Sequence, residues 1–230
     1  MFANFDFDVI RRSLAYLFLD GMTFTLMLTG LATVGGLVFG TLIALMRLSG
    51  YRLLGRIAGL YVDLMRSLPL VLVIFWFYFL VPYLGQWLTG SSRPVRVGAF
   101  TSSLVTFILF EAAYFSEIMR AGIQSISKGQ PAAANALGLT YAQTMRYVVL
   151  PQAFRNMLPV LLTQTIVLFQ DTSLVYVLSI PDFLGAASKV AQRDGRLVEM
   201  YLFAAIVYFV ISCTASFGVR RLQARISVVR

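Results

Sequence analysis

Apolar residues follow one another in long runs along this chain, and polar residues gather between the runs. Five runs reach the length of about 20 mostly apolar residues that a helix needs to cross a bilayer. The pattern therefore predicts an all-α, polytopic membrane protein with five transmembrane helices. The predicted spans are residues 22–46, 57–84, 97–121, 156–180 and 200–219.

Two further patterns concern the first span. Four large apolar residues before it recur at the spacing of one helix face: Ile10, Leu14, Leu17 and Phe18. They predict either a short amphipathic helix lying flat on the outer interface or an N-terminal extension of the span. Within the span, Gly36-x-x-x-Gly40 suits close helix packing, although glycine is also common in membrane helices in general.

Composition indicates that most of the chain is surrounded by lipid, and it argues against several kinds of site. Of the 230 residues, 59% are hydrophobic and 13% are charged, whereas a soluble domain has about 25% charged residues. The chain contains no histidine, and its single cysteine, Cys213, lies inside an apolar run. This argues against zinc and haem sites, histidine-based triads and a disulfide framework. We expect no catalytic residue, no metal and no cofactor.

The net charge of +9 is explained by topology and does not indicate a nucleic-acid partner. One side of the five spans collects eleven basic residues: Arg47, Arg52, Arg56, Arg120, Lys128, Arg146, Arg155, Arg220, Arg221, Arg225 and Arg230. The other side collects seven: Arg11, Arg12, Arg93, Arg96, Lys189, Arg193 and Arg196. The positive-inside rule places the larger set in the cytoplasm. The N-terminus is then outside and the C-terminus cytoplasmic.

A loop of residues 122–155, between the third and fourth predicted spans, is basic and contains no acidic residue. In this topology it faces the cytoplasm. Its sequence favours helix, because Pro131 suits a first helical turn and an alanine-rich stretch follows it. The predicted order is a helix over 132–136, a stop at Gly138, a cap at Thr140 and a second helix over 141–150 that ends at Pro151.

The spacing of two alanines, Gly138 and the pair Leu150-Pro151 resembles the EAA loop of ABC-importer permeases. In that family the loop is a coupling helix that docks on a cytoplasmic ATPase. Ala132 occupies the family's glutamate position, so the usual acidic contact is missing. The residues assigned to ATPase coupling, with Arg146 as an available charge, are Ala132, Ala133, Ala134, Gly138, Arg146, Leu150 and Pro151.

Three other segments resemble the polar amino-acid uptake family of these permeases. They are Arg66-Ser67-Leu68-Pro69-Leu70, the stretch Glu117-Ile118-x-Arg120-Ala121-Gly122-Ile123 after Tyr114, and Asp171-Thr172-Ser173-Leu174. In the third segment Gln170 stands where the family has lysine. The similarity covers nearly the whole chain, and in detail it resembles the permease subunits of bacterial glutamate/aspartate importers.

This resemblance implies one ABC-transporter type-1 transmembrane domain over residues 1–230, located in a bacterial inner membrane. It implies a permease and not an enzyme, and the sequence contains no Gly-x-x-x-x-Gly-Lys-Ser/Thr motif for nucleotide. Two copies of a separate ATPase would drive alternating access. An extracytoplasmic binding protein would deliver a polar amino acid, glutamate or aspartate foremost. A second permease, identical or homologous, would complete the pathway.

Two acidic residues interrupt predicted spans, where a charge costs about 2.5–3.5 kcal/mol at the bilayer centre. We expect a substrate pathway that includes Glu111, Gln164, Gln170, Asp171, Thr172 and Ser173. In one hypothesis Asp171 or Glu111 holds the ammonium group, while Thr172, Ser173 and Gln164 donate to the carboxylates of the amino acid. In the alternative, the acidic residues make structural hydrogen bonds between helices.

Two further interpretations concern charged residues. A proton-coupled secondary amino-acid transporter could use Glu111 and Asp171 as relay acids, but the cytoplasmic loop would then have no partner. Arg66 could attract an anion. However, Asp63 lies three residues before it, so a structural ion pair on one helix face is favoured.

Overall fold

The computed structural model describes residues 5–226, and every regular segment in that range is helical. This confirms the predicted all-α class. The α-helices are α1 (Phe7–Ala15), α2 (Thr23–Leu48), α3 (Arg52–Ser67), α4 (Leu70–Phe75), α5 (Val81–Thr89), α6 (Ala99–Gln124), α7 (Gly129–Ala136), α8 (Tyr141–Thr144), α9 (Leu150–Asp171), α10 (Phe183–Asp194) and α11 (Leu197–Ile226). Three π-helical segments (Tyr16–Met22, Trp76–Leu80 and Met145–Val149) and a 3₁₀ segment (Thr172–Leu178) lie between some of them.

Within the described range, five helical stretches are long and apolar enough to cross a membrane, which confirms the predicted number. They are Phe7–Leu48, Leu70–Thr89, Ala99–Gln124, Tyr141–Leu178 and Leu197–Ile226. The orientation of the termini stays a prediction. Arg230, one of the basic residues on which it rests, lies outside the described residues.

The amphipathic stretch near the N-terminus is an extension of the first membrane-length helix. Asp6 caps α1, since its carboxylate accepts the N–H groups of Asp8 at 2.9 Å and Val9 at 3.3 Å. The helix then passes without a break through the π-helical segment into α2. Of the two arrangements predicted for this stretch, the structure shows the second.

A break at residues 68–69 separates α3 from α4, inside the predicted span 57–84. Proline has no N–H group to donate and disfavours helical backbone at the residue before it. Pro69 is extended, with φ −61° and ψ 129°. The membrane-length helix of this region consequently begins at Leu70, and α3 is a separate helix of 16 residues.

The helix that starts at Tyr141 does not end at Pro151, so this part of the loop prediction is wrong. Helical structure continues to Leu178. Within a regular α-helix, a proline ring clashes with the carbonyl group four residues earlier. Here the π-helical segment Met145–Val149 directly precedes α9, and its wider turn, with bonds between residues five apart, makes room for the ring.

The chain forms two compact units. Unit 1 comprises Met1–Val34, Leu68–Ile108 and Ile166–Ala215, and unit 2 comprises Gly35–Ser67, Leu109–Thr165 and Ser216–Arg230. In unit 1, buried Leu17, Phe183 and Met200 belong to a core shared by the N-terminal helix, α10 and α11. Gly21 allows this contact, because a methyl group there would lie 3.0 Å from the Cβ atom of Ala186.

In unit 2, two glycines bring α2 against α6. A methyl group on Gly36 would lie 2.9 Å from the Cβ atom of Glu111, and one on Gly40 would lie 2.9 Å from the Cβ atom of Phe115. Both distances are shorter than a carbon–carbon contact allows. The Gly36-x-x-x-Gly40 pattern is therefore a packing face, which confirms that interpretation of the motif.

Candidate functional site

The loop between α6 and α9 carries the predicted helix, stop and cap. After α7, Gly138 adopts a left-handed backbone with φ +82°, which glycine reaches without a steric penalty. Thr140 and Gln143 then cap α8 reciprocally. The Gln143 N–H donates to Oγ1 of Thr140 at 3.3 Å, and the Thr140 N–H donates to Oε1 of Gln143 at 2.8 Å. The stop at Gly138 and the cap at Thr140 are confirmed.

The turn presents large apolar side chains to the outside. Leu137 is 81% exposed and Tyr141 is 79% exposed, and exposed apolar groups of this size mark contact surfaces when they cluster. The sequence prediction missed both. Leu137 directly follows α7 and Tyr141 begins α8, and helices this short contain no periodic pattern that predicts which side chains are exposed.

The residues predicted to couple to an ATPase divide by exposure. Ala134 is buried at 4% exposure, so its side chain faces the chain itself and is not presented to a partner. The remaining six are exposed: Ala132, Ala133, Gly138, Arg146, Leu150 and Pro151. The Arg146 guanidinium lies 5.7 Å from the ring centroid of Tyr147, which is a cation–π distance.

Glu111 and Gln164, two of the predicted pathway residues, meet inside unit 2. Glu111 is completely buried on α6. The side-chain amide of Gln164 on α9 donates to its two carboxylate oxygens at 3.3 and 3.2 Å. Because a buried carboxylate needs hydrogen-bond donors, this pair has the geometry of the structural alternative, a bond that joins two helices.

The polar segment 170–173 lies in unit 1, at the point where α9 changes into a 3₁₀ helix. The Gln170 amide donates to Oγ of Ser212 at 3.0 Å. Thr172 is buried and donates to the Phe169 carbonyl at 2.7 Å. Asp171 and Ser173 are partly exposed, and the Asp171 carboxylate has no hydrogen bond or ion pair among the described residues.

An ion cluster not predicted from the sequence joins α2 to α6 in unit 2. Glu117 on α6 pairs with Arg47 on α2 and with Arg120 one turn further along α6. Arg120 also donates to the side chain of Gln124. All three charged side chains are largely buried. The spacing Glu117-x-x-Arg120 indicates the pair within α6, but no local pattern reveals the partner on α2.

Arg66 does not pair with Asp63, so the predicted ion pair is wrong. Its guanidinium lies 5.4 Å from the ring centroid of Tyr114 on α6, where it is attracted to the electron-rich face of the ring. Sequence spacing favours partners on the same helix. Sequence spacing gives no information about an aromatic ring on a neighbouring helix.

In unit 1, charges at the end of α10 are paired with one another. Arg193 and, less strongly, Arg12 hold the pKa of Asp194 down to about 2, and Arg12 reaches the same carboxylate at 3.1 Å. At the start of α10, Asp182 caps the helix, because its carboxylate accepts the N–H groups of residues 184 and 185. Burial nevertheless raises the pKa of Asp182 to about 7.

These features define a multi-pass helical membrane protein with a structured loop, polar groups within its spans and no other kind of fold in the described range. Residues 36–228 match the family described as the binding-protein-dependent transport system inner membrane component. The chain belongs to this family. It is accordingly a multi-pass protein of a bacterial inner membrane.

Individual relatives agree with this assignment. The chain is 54% identical over 222 residues to the glutamate/aspartate import permease protein GltK of Escherichia coli O6:H1, covering 96% of this chain and 98% of that one. It is 33% identical over 210 residues to the probable glutamine ABC transporter permease protein GlnM of Bacillus subtilis, covering 91% and 93%.

Solved structures show the same arrangement of helices. One is an amino acid ABC transporter crystallised with histidines, which is 33% identical, has a TM-score of 0.86 and covers 96% of this chain and 98% of that one. The MetNI methionine ABC transporter, 18% identical with a TM-score of 0.74 over 93% and 97%, shares the fold. The comparisons give no support to a proton-coupled secondary transporter.

Proposed function

We propose that this chain is the permease subunit of an ABC importer that moves a polar amino acid, glutamate or aspartate, into the cytoplasm. The observation that carries this proposal is the 54% identity to a glutamate/aspartate import permease over 96% of the chain. A match of that extent covers nearly the whole chain. An extracytoplasmic binding protein delivers the amino acid, and a second permease, identical or homologous, forms the other wall of the pathway.

The segment from α7 to α8, residues 129–144 and here called the α7–α8 loop, is the docking element for a separate ATPase that is present in two copies. Its support is the exposed apolar pair Leu137 and Tyr141 around Gly138, together with the capping box that fixes the turn. Ala132 leaves out the acidic contact of the related loops. Docking therefore depends on apolar packing at the turn and on the exposed charge of Arg146.

Asp171 is the residue that receives the ammonium group of the amino acid. Its carboxylate is partly exposed and has no partner among the described residues. Both features leave it available to a cation. Ser173 is also partly exposed, and we assign it to the substrate as a donor to a carboxylate. Glu111 and Gln164 bond to each other, so we assign them to the joining of helices.

Transport by reconstituted vesicles tests the assignment. The permease is combined with its ATPase and binding protein, and uptake of radiolabelled glutamate is measured for wild type, Asp171→Asn and Asp8→Asn. Loss of a charged hydrogen bond costs about 1.5–3 kcal/mol. We therefore expect Asp171→Asn to lower the apparent affinity about tenfold or more. Asp8 is an exposed residue of α1, and its variant serves as the control.

Two results would overturn parts of the proposal, and they are distinguishable. Uptake driven by a proton gradient without the ATPase would remove the ABC-importer function. Normal uptake by Asp171→Asn, with ATP dependence intact, would leave the function in place and remove only the role of Asp171.

A further inference from the structure

Unit 2 contains a polar cavity of about 400 Å³ beside the α7–α8 loop. Three parts of the chain form it: the segment from the end of α6 to the first turn of α7, the first turns of α9 and the last described turn of α11. The described residues that line the polar cavity are Ile126, Ser127, Gln130, Gln152, Arg155, Asn156 and Ile226. None of them is acidic, so its electrostatic character is set by one guanidinium, one hydroxyl and three carboxamides.

Arg155 is the group that gives the polar cavity its charge. Within the described residues it makes no hydrogen bond and no ion pair, whereas two neighbours are already engaged. The Gln152 amide donates to the Val148 carbonyl at 2.8 Å, and the Asn156 amide donates to Oγ of Ser125 at 2.8 Å. The five N–H donors of a guanidinium match the oxygens of a phosphate group in geometry.

A second cavity, the α6–α9 groove, lies next to the polar cavity and shares Asn156 with it. The groove has a volume of about 320 Å³. Its described lining is mainly apolar and comprises Glu117, Ile118, Ala121, Gly122, Ser125, Asn156, Met157 and Val160. Glu117, the acidic member, is neutralised by Arg47 and Arg120. The groove therefore suits hydrocarbon.

We propose that the two cavities together bind an anionic phospholipid, with its phosphate at Arg155 and an acyl chain in the α6–α9 groove. A free phosphate ion would use only the polar cavity, and the adjoining groove is what points to a lipid. The end of α11 strengthens the attraction, because Arg220, Arg221 and Arg225 lie within two turns of one another. Basic residues at a membrane boundary attract anionic lipids, each by about 1 kcal/mol.

Native mass spectrometry of the full-length chain tests this inference. The detergent-purified protein is incubated with phosphatidylglycerol or with phosphatidylcholine, and the lipid molecules retained per chain are counted. We expect phosphatidylglycerol to be retained in preference. Arg155→Ala should weaken its binding about fivefold, which is the effect of losing one basic residue at a membrane surface.

Two further variants separate the parts of the site. Ala121→Trp fills the groove and should reduce retention while Arg155 remains. Arg52→Ala removes an exposed basic residue outside both cavities and should retain the lipid as wild type does. Circular dichroism and gel filtration establish that each variant is folded.

A competition with inorganic phosphate distinguishes the two possible sources of the anion. If the site is a lipid site, phosphate at millimolar concentration leaves the retained phosphatidylglycerol in place. The proposal is overturned if Arg155→Ala retains as much phosphatidylglycerol as wild type. It is equally overturned if inorganic phosphate displaces the lipid and Ala121→Trp has no effect, since the polar cavity would then bind anions without a lipid.

Discussion

At the scale of single residues, glycine sets the distance between α2 and α6. Gly36 and Gly30 lie in the same helix, yet their surroundings differ. A methyl group on Gly36 would meet Glu111 and the ring of Phe115 at about 3 Å, while Gly30 has nothing within 4 Å. The two positions therefore separate the effect of helix packing from the effect of glycine on the helix itself.

We predict opposite effects for the two matched substitutions to alanine. Gly30→Ala should leave the protein unchanged or stabilise it by up to about 1 kcal/mol, because alanine is the better helix former. Gly36→Ala should destabilise it by about 1–3 kcal/mol through overpacking against α6. Thermal unfolding of each variant in the same detergent measures the difference. Equal melting temperatures would show that α6 moves away from the added methyl group without loss of stability.

The same scale shows what sequence alone can and cannot predict about the candidate site. The burial of Glu111 could be predicted, because an acidic residue inside a membrane-length apolar run is costly to expose to lipid and is therefore expected to face protein. That Gln164 is its partner could not, since periodicity along one helix contains no information about the helix opposite. Arg66 failed for this reason as well: the spacing indicated Asp63, and Tyr114 on α6 took its place.

At the scale of elements, signals confined to a few neighbouring residues predicted the structure well. Gly138 ends the first loop helix through its backbone conformation, and Thr140 caps the next through its hydroxyl group and its N–H, so both act within one turn. Pro151 was misjudged, since its effect depends on the turn before it. A π-helical segment accommodates the proline ring. The sequence of Met145–Val149 contains no pattern that predicts a π-helix.

The turn at Gly138 gives a second prediction. Its backbone is left-handed, a conformation that asparagine adopts at small cost. For an ordinary residue this conformation is less favourable by about 1–2 kcal/mol, and for a β-branched residue the free-energy cost is larger. Gly138→Val should therefore distort the turn and reduce ATP-driven uptake while ATP hydrolysis continues, and Gly138→Asn should retain most of the uptake. Both rates are measured in vesicles with the ATPase present. If Gly138→Val transports normally, the conformation of this turn does not matter for coupling.

At the scale of the whole molecule, the hydrophobic runs predicted the number of membrane-length helices. They predicted the first and last residues of those helices less accurately. The helix of the second span begins at Leu70 and not near 57, because Pro69 interrupts the helix. The direction in which the chain crosses the membrane rests on the distribution of arginine and lysine. It is a property of the protein in its bilayer and needs a measurement of its own.

Single-cysteine labelling provides that measurement. In a Cys213→Ser background, Ser92→Cys reports on the loop between α5 and α6, and Lys128→Cys reports on the loop before α7. With a membrane-impermeant maleimide on intact spheroplasts, we expect Ser92→Cys to react and Lys128→Cys to react only after the membrane is opened. The positive-inside rule gives this direction. The reverse pattern would invert the proposed topology and place the α7–α8 loop out of reach of a cytoplasmic ATPase.

The carboxylate of Glu117 is held by an arginine on another helix and by an arginine on its own helix. Breaking a buried ion pair usually leaves one charge uncompensated, at a cost of about 3–5 kcal/mol. Here Arg120 lies one turn away on α6, so Glu117 keeps a charged partner if the Arg47 side chain is removed. Removal of the Arg47 side chain therefore leaves no uncompensated charge on α6, while Gly36 and Gly40 still hold α2 against that helix.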